Sequence, residues 1–411
     1  MKAANLKPFT KRISVCRVKD PQSGKTKQIK ETHTVYAKNQ KVENEKFDEY
    51  KRTRRAQILN IKEQLTLADV IERFYQENTQ YSINTIIKRK WYRKKIEEEF
   101  GDKLIYVIEG DDIKQFLREL RDERGYAEET LRDFRRLLKD YFEYAQINGY
   151  IAEDHMRELK KFEIGKRINL RRNRNSFSPE DTKQVIRYII NHKTDRSCSL
   201  ELKTQILLTL DGCLRPTELY ALTWDDIDLA EGCMTIDKDV TVISKKEAEE
   251  LGVERITVGE TKTNGSVRKI PLSKRTIAML TDFKQESMKY LKRHRYKNPD
   301  NILFFQRRNV SKKSVINAYG SGFRSRLRKI SQYLLQNKKE VSVCPYSLRK
   351  LGDTERKNTE DALLHRVSDY IMGHNGNPLD LRYVKDYYTL AKKALPAWEK
   401  VLDEIIGTKT K

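Results

Sequence analysis

The sequence predicts a multidomain protein that is mainly α-helical, with a small β-rich unit at its N-terminus and a mixed α/β domain in its C-terminal half. Three observations support this fold class. The chain has 411 residues, more than one ordinary hydrophobic core accommodates. Apolar residues recur at helical spacing through the middle of the chain. Short strand-like runs occur near the N-terminus and again between residues 234 and 270.

The N-terminal unit is predicted to span residues 1–62. Its strand-like segments Arg12–Val18 and Lys27–Lys30 flank Asp20–Gly24, which has the composition of a turn. A charged helical stretch follows, from about residue 42 to residue 58. Because so short a unit buries little apolar surface, we expect it to be only marginally stable alone.

A helical domain is predicted over residues 63–160. One apolar stripe at positions i, i+3, i+4, i+7 and i+8 is its clearest sign, formed by Leu67, Val70, Ile71, Phe74 and Tyr75. The stretches 111–121 and 128–147 repeat this spacing. The sequence therefore predicts several amphipathic helices packed around one core.

A basic linker is expected at residues 161–175, followed by a mixed α/β domain over residues 176–411. The linker region is dense in Lys and Arg and shows little periodicity. Ser178 before Pro179 is typical of a helix start. Strand-like pieces lie among the predicted helices at residues 234–236, 254–258 and 267–270.

The charge of the chain predicts a polyanionic partner. Eighty-four Lys and Arg against sixty Asp and Glu give a net charge of +24, and binding to phosphates releases condensed counterions. A merely basic proteome or a generic affinity for RNA is the alternative interpretation of the charge. For the helix at 128–147, the alternative is a solvated charged face over a core face. The candidate phosphate-contacting residues, which would bind nucleic acid as the polyanionic partner, are Lys25, Lys27, Arg132, Arg135, Arg136, Lys139, Arg171, Arg172 and Arg174.

Cysteine usage and hydropathy argue against an exported or membrane protein. The five cysteines are scattered and form no CxxC pair, so we interpret them as reduced thiols rather than as disulfides or a zinc site. No run reaches the roughly 18 apolar residues of a membrane helix, and no signal peptide is recognisable. A cytoplasmic protein without a metal is the expectation.

Four short patterns in the C-terminal domain carry candidate chemistry. Each alone has a structural explanation, such as a capping arginine, a hairpin lysine or a core histidine. The patterns are Gly212–Leu219 with Arg215, the hairpin-like Thr261–Gly265 with Lys262, Pro345–Lys350 with Arg349, and Met372–His374 followed nine residues later by Tyr383.

Taken in this order, the patterns resemble the catalytic domain of the tyrosine recombinases, the phage and conjugative-transposon integrases. Gly212-Cys213-Leu214-Arg215-Pro216-Thr217-Glu218-Leu219 matches the G-x-x-R-x-x-E-L turn of that family, and Lys262 with Arg268-Lys269-Ile270-Pro271-Leu272 matches its hairpin. Arg349 and His374 match the second arginine and the G-H histidine. The resemblance is strong over about 175 to 400. It implies an arm-type DNA-binding domain at 1–62 and a core-binding, SAM-like domain at 63–160.

The resemblance also implies roles for these residues. Arg215 and Arg349 would clamp the scissile phosphate bidentately, because their charge is permanent and their fork matches phosphate. Lys262 would be the general acid for the 5′-oxygen, assisted by His374. Tyr383 stands at the usual offset for the nucleophile, with Tyr388 as the alternative.

One position departs from the family pattern. Tyr346 occupies the place where the family usually has the histidine of H-x-x-R. A tyrosine hydroxyl can hydrogen-bond a phosphate oxygen. A phenol is a poor base near pH 7, however, since its ordinary pKa is about 10. An acid–base role at Tyr346 is therefore in question.

The resemblance implies a site-specific recombinase that cuts and rejoins DNA through a 3′-phosphotyrosine, integrating or excising a prophage or other mobile element. Such an enzyme needs no cofactor, because the tyrosine can leave again. Implied partners are double-stranded DNA at core and arm sites, three further protomers in a tetramer on DNA, an excisionase and a host DNA-bending protein, at the bacterial nucleoid. A type IB topoisomerase-like enzyme and a catalytically weak DNA-binding regulator with the same fold are the alternatives.

Overall fold

The computed structural model divides the chain into two compact units, Met1–Leu170 and Arg171–Lys411. The residues that the structure describes are 7–19, 26–63, 65–151, 156, 177–260, 267–306, 315–317, 321–336, 343–374 and 387–407. The predicted linker and the turn at residues 20–24 lie outside them. The predicted domain limits at residues 62, 160 and 175 stay predictions. Within the described ranges, no helix combines the length and the apolarity that crossing a membrane requires.

The first unit begins with an antiparallel hairpin. Strands β1 (Lys7–Lys19) and β2 (Thr26–Ala37) pair in register from Lys7 opposite Ala37, with a bulge near Ser14. Both predicted strands are confirmed and are longer than expected. Helix α1 (Gln40–Glu63) packs on the hairpin, where Glu31 of β2 accepts hydrogen bonds from Tyr50 and Arg54 of α1. These polar contacts tie the helix to a hairpin with a small apolar core.

The rest of the described part of this unit contains four α-helices, α2 (Leu67–Glu77), α3 (Ile83–Phe100), α4 (Gly110–Asp122) and α5 (Glu128–Ile147), and a short 3-10 helix at Ile105–Val107. Helix α2 begins at a capping box, in which Thr66 and Asp69 satisfy each other's backbone N–H groups. The predicted stripe is confirmed, since Leu67, Val70 and Ile71 are fully buried. They share one core with α3 to α5.

The second unit is built around a buried helix. The α-helices in its described part are α6 (Pro179–Asn191), α7 (Leu200–Gly212), α8 (Pro216–Ala221), α9 (Lys245–Leu251), α10 (Lys274–His294), α11 (Ser321–Leu334), α12 (Pro345–Asn358), α13 (Ala362–Met372) and α14 (Tyr387–Ile406). Helix α7 is buried from Leu202 to its end. It packs against α10 and α12, so its C-terminus is held inside the domain.

Two small antiparallel sheets lie in the described part of this unit. Strands β3 (Ile227–Asp228), β4 (Cys233–Ile236) and β7 (Arg268–Pro271) form the first, in the order β3-β4-β7. Strands β5 (Lys238–Val242) and β6 (Ile256–Glu260) form the second, with α9 inserted between them. The sequence predicted β4, β6 and β7 approximately but missed β3, β5 and α9.

The C-terminal helix α14 packs on its own domain. Trp398 is 2% exposed, and its indole N–H donates to the buried carboxylate of Asp211 at 2.8 Å. The guanidinium of Arg356 lies 3.5 Å from the Trp398 ring centre and donates to the carbonyls of Leu210 and Asp211. The end of α7 is thereby fixed by α12 and α14 together.

Candidate active site

Arg215 stands in a tight turn between α7 and α8. The chain turns at Cys213, whose φ of 44° lies in the left-handed region that a non-glycine residue rarely adopts. Arg215 is the N-cap of α8, and Pro216 occupies the first turn. Glu218, one turn further, accepts hydrogen bonds from the Arg215 backbone N–H at 2.8 Å and from its Nη1 at 2.6 Å. The Arg215 side chain is thus held by its own helix, with 32% of its surface exposed.

Arg349 reaches the same turn from α12. Its side chain is 2% exposed. Its Nη1 donates to the carbonyl of Cys213, and its Nη2 donates to the carbonyl of Met372 at 2.7 Å. Burial and the positive charge of Arg215 lower the pKa of Arg349. Arg349 therefore joins the Arg215 turn to the end of α13.

His374 follows directly after that end. Helix α13 closes at Gly373, whose φ is +62°, and the backbone N–H of His374 donates to the carbonyl of Asp369 at 3.0 Å. The His374 side chain is exposed. Its partial burial and the positive charges of Arg349 and Arg215 lower the pKa of its imidazole. The structure thus brings three of the predicted site residues, Arg215, Arg349 and His374, together.

A buried carboxylate lies beneath them. Glu218 is 2% exposed and is contacted by three guanidinium groups: Arg215, Arg268 at 3.0 Å and, at 3.8 Å, Arg349. Although burial raises the pKa of Glu218, the charge and hydrogen bonds of Arg268 and Arg215 hold it below its ordinary value. Glu218 is therefore an ionised anchor for the arginines.

Sequence reasoning noted Glu218 and Arg268 as parts of motifs but did not propose them as site residues. A signal was present in β7. Residues i and i+2 of a strand face the same side, and Ile270 is an obvious core residue. Arg268 shares its inward face and is 3% exposed. A charged residue at an inward strand position requires a buried partner.

Tyr346 lies in the first turn of α12, three residues before Arg349, with 60% of its surface exposed. One helical turn separates the two residues, so their side chains emerge on the same side of the helix. Two central candidates, Lys262 and Tyr383, lie outside the described residues.

Tyr388 is described, at the start of α14. Its hydroxyl donates to Glu231 at 2.7 Å, and the ammonium of Lys269 lies 4.8 Å from its ring centre. Lys269 also contacts Glu231 at 2.6 Å. These two hydrogen bonds lower the pKa of Glu231 to about 2. Partial burial and the Glu231 carboxylate raise the pKa of Tyr388, so the environment of this phenol disfavours the oxyanion that a nucleophile needs.

Three candidate DNA-contacting residues of α5 form ion pairs along their own helix. Arg132 contacts Glu128 at 2.6 Å, and Arg136 contacts Asp133 at 3.2 Å. Lys139 approaches Glu143 at 3.9 Å, and Arg135 is half-buried. Such exposed pairs rearrange at little cost. Lys27 lies in β2 without a described side chain, and Lys25, Arg171, Arg172 and Arg174 lie outside the described residues.

Two groups of side chains in the described part of the chain are spaced closely enough to hold a metal ion. Ligand atoms of His192, Asp195 and Cys198 lie within 4.8 Å of one another, as do those of a second group, Asp228, Glu231 and Cys233. In the second group, Glu231 is already bound to Lys269 and Tyr388. Neither group includes Arg215, Arg349 or His374.

Comparison with known proteins gives matches across both units. Residues 180–349 match the model of the phage integrase family, and residues 113–159 match that of the phage integrase N-terminal SAM-like domain. These matches of 170 and 47 residues cover more than half of the 411. A tyrosine recombinase XerC-like protein of Caldanaerobacter subterraneus subsp. tengcongensis is 27% identical over 264 residues. That alignment spans 60% of this chain and 62% of the relative's length.

Among solved structures, two of the Tn1549 transposon integrase are similar, one with transposon right end DNA and one with circular intermediate DNA. Their TM-scores are 0.57 and 0.58 at 19% identity, and each alignment covers 81% of this chain and 99% of the other. This likeness establishes the multidomain, mainly helical fold that the sequence predicts. Both family models match this chain. Arg215 and Arg349 lie within residues 180–349, which match the phage integrase model, and His374 lies beside them in the fold. The chain therefore belongs to the phage integrase family of tyrosine recombinases.

Proposed function

We propose that this chain is a site-specific DNA recombinase that integrates or excises a mobile element, cutting and rejoining DNA through a 3′-phosphotyrosine intermediate. The observation that carries the proposal is the convergence of Arg215 and Arg349 beside His374, fixed by contacts among α8, α12 and α13. Two arginines and an imidazole at one point suit a single phosphodiester.

The arginines supply the charge that strand cleavage requires. Attack on a phosphodiester builds negative charge on its non-bridging oxygens, and fixed donors stabilise that charge without reorganising. A guanidinium has five N–H donors. The Arg215 Nη1 is engaged by Glu218, and the remaining donors of its partly exposed fork can take phosphate oxygens.

Tyr383 is the proposed nucleophile, and Lys262 the proposed general acid for the 5′-oxygen. The contacts of Tyr388 favour this choice, because its hydroxyl already donates to Glu231. His374, held neutral near pH 7 by its lowered pKa, can accept a hydrogen bond from the reacting tyrosine or donate one to the phosphate. Religation reverses the attack, so the reaction conserves the phosphodiester bond energy.

Tyr346 is proposed to hydrogen-bond a phosphate oxygen. Its exposed phenol stands one turn before Arg349, where it can reach a phosphate that Arg349 binds. On this proposal Tyr346→His retains cleavage and Tyr346→Phe is impaired.

The other domains are proposed to place this chemistry at the right DNA. The helical domain binds the core site together with the catalytic domain, and the basic N-terminal unit binds a separate arm site. Exchange between two duplexes breaks four strands, one for each nucleophile, so four protomers assemble. An excisionase and a host DNA-bending protein are proposed partners at the bacterial nucleoid.

A nicked suicide substrate carrying the element's own attachment site tests the proposal. Wild-type protein should form a covalent adduct at the 3′-phosphate, and two attachment sites on one plasmid should recombine. Relaxation of supercoils without recombination would identify a type IB topoisomerase-like enzyme. Binding with no adduct would identify a DNA-binding regulator. Either result overturns the proposal.

A further inference from the structure

We propose that Arg268 is a positioning residue of this active site, which neutralises Glu218 and fixes the turns carrying Arg215 and His374. The inference rests on the proposed function. Because the Arg268 side chain is fully buried and its Nε, Nη1 and Nη2 all donate to protein oxygens, it acts through other residues rather than by touching DNA.

The contact with Glu218 is a two-pronged ion pair. The Arg268 Nη2 donates to Oε2 at 3.0 Å, and its Nη1 donates to Oε1 at 3.3 Å. Both side chains are at most 2% exposed. Planar, bidentate pairs of this kind hold a carboxylate in one orientation. Glu218 uses the same two oxygens to hold the side chain and the backbone of Arg215, so the orientation of Arg215 depends on Arg268.

The ion pair between Arg268 and Glu218 also determines how far the Glu218 carboxylate offsets the positive charges that face the phosphate. Glu218 lies 2.6 Å from Arg215 and 3.8 Å from Arg349. Without Arg268, the Glu218 carboxylate would be a buried anion compensated only by Arg215 and Arg349, the two arginines proposed to clamp the phosphate. It would draw their guanidinium groups inward and offset their charge. With Arg268 present, Glu218 is matched by a residue that has no role at the phosphate.

A second set of contacts connects Arg268 to His374. Its Nε donates to the carbonyl of Ile371, in the last turn of α13, at 2.9 Å. A Cβ atom on Gly373 would lie 2.7 Å from the Arg268 Nη1. The guanidinium therefore packs directly against the residue that turns the chain into His374. It also approaches the carbonyl of Gly212, at the end of α7, at 3.4 Å.

The test compares single-turnover cleavage of the suicide substrate by Arg268→Gln, Arg268→Lys, Glu218→Gln and the Arg268→Gln/Glu218→Gln double variant. Arg268→Gln should cleave on the order of a hundredfold more slowly, as when one fixed donor is lost, with DNA affinity nearly unchanged. The double variant should cleave faster than Arg268→Gln, because it removes the carboxylate that would otherwise draw Arg215 and Arg349 inward. A matched control is Arg275→Gln, which breaks a half-exposed ion pair with Asp403 and should cleave normally.

A second substrate distinguishes positioning from simple stabilisation. Replacing the scissile phosphate by a neutral methylphosphonate removes the charge that the clamp binds. If Arg268 acts through the clamp, the defects of Arg268→Gln and of Arg215→Gln should both shrink on this substrate. An equal Arg268→Gln defect on both substrates overturns the inference, as does a wild-type rate on the ordinary one. If Arg268→Gln does not fold, Arg268→Lys and the double variant give the same comparison. A wild-type protein that forms no adduct refutes the proposed function instead.

Discussion

Arg215 and Arg349, the two arginines proposed to clamp the phosphate, should contribute differently to the stability of the fold but equally to the rate of cleavage. Arg349 is buried, and its guanidinium donates to two buried carbonyls, those of Cys213 and Met372. Hydrogen bonds from a charged group contribute about 1.5 to 3 kcal/mol each. Burying Arg349 beside the like charge of Arg215 is unfavourable. We therefore expect Arg349→Met to lower the free energy of unfolding by about 3 kcal/mol, the lower end of the range for two such bonds. Arg215 is partly exposed, so Arg215→Met should cost about 1 kcal/mol.

Calorimetric unfolding at pH 7 measures this difference directly. For a domain of this size, each kcal/mol shifts the midpoint by about 2 to 4 °C. The catalytic-domain transition of Arg349→Met should therefore lie about 4 to 8 °C below that of Arg215→Met. Both variants should lose cleavage several hundredfold, roughly 3 to 4 kcal/mol of transition-state stabilisation. Equal midpoints would show that the contacts of Arg349 with the two carbonyls do not support the fold.

Three further predictions concern other parts of the molecule. Trp398→Phe removes a hydrogen bond to the buried carboxylate of Asp211 and should lower the free energy of unfolding by about 2 kcal/mol; a change under about 0.5 kcal/mol in urea unfolding would contradict it. Partial burial and the charges of Arg349 and Arg215 lower the pKa of His374; a bound phosphate should offset those charges and favour the protonated imidazole, so core-site affinity should rise as pH falls below neutrality; His374→Gln should abolish this rise in salt-matched binding assays. Deleting residues 1–62 should preserve core-site cleavage but lose the arm-site footprint and full recombination; identical footprints would refute a separate arm site.

Regular elements of the fold were predictable where local patterns dominate. The stripe at Leu67, Val70 and Ile71 identified α2, and Ser178 before Pro179 identified the start of α6, where the Ser178 hydroxyl accepts from the Asp181 N–H. Helix α9 was missed because it carries no buried residue. Its apolar periodicity is therefore too weak to detect, and it depends on its Ser244 cap and on the hairpin around it.

The motifs of the candidate site were predictable from the sequence, but the contacts between its residues were not. The positions of Arg215, Arg349 and His374 followed from a resemblance, and the structure brings them together. The dependence of Arg215 on Glu218, and of Glu218 on Arg268, joins residues 50 apart in sequence. Local pattern cannot reveal such a contact, because it exists only once α8 and β7 have packed together.

The three arginines around Glu218 also set a charge balance. Arg215, Arg268 and Arg349 against one carboxylate leave two positive charges. A phosphodiester at rest carries one negative charge, and it carries two once a tyrosine oxyanion has attacked. These four groups therefore carry one positive charge more than intact DNA neutralises, and their charge is matched only at the point of reaction. A site with that charge balance attracts the transition state more strongly than it attracts bound, intact DNA. Only this difference in binding accelerates the reaction.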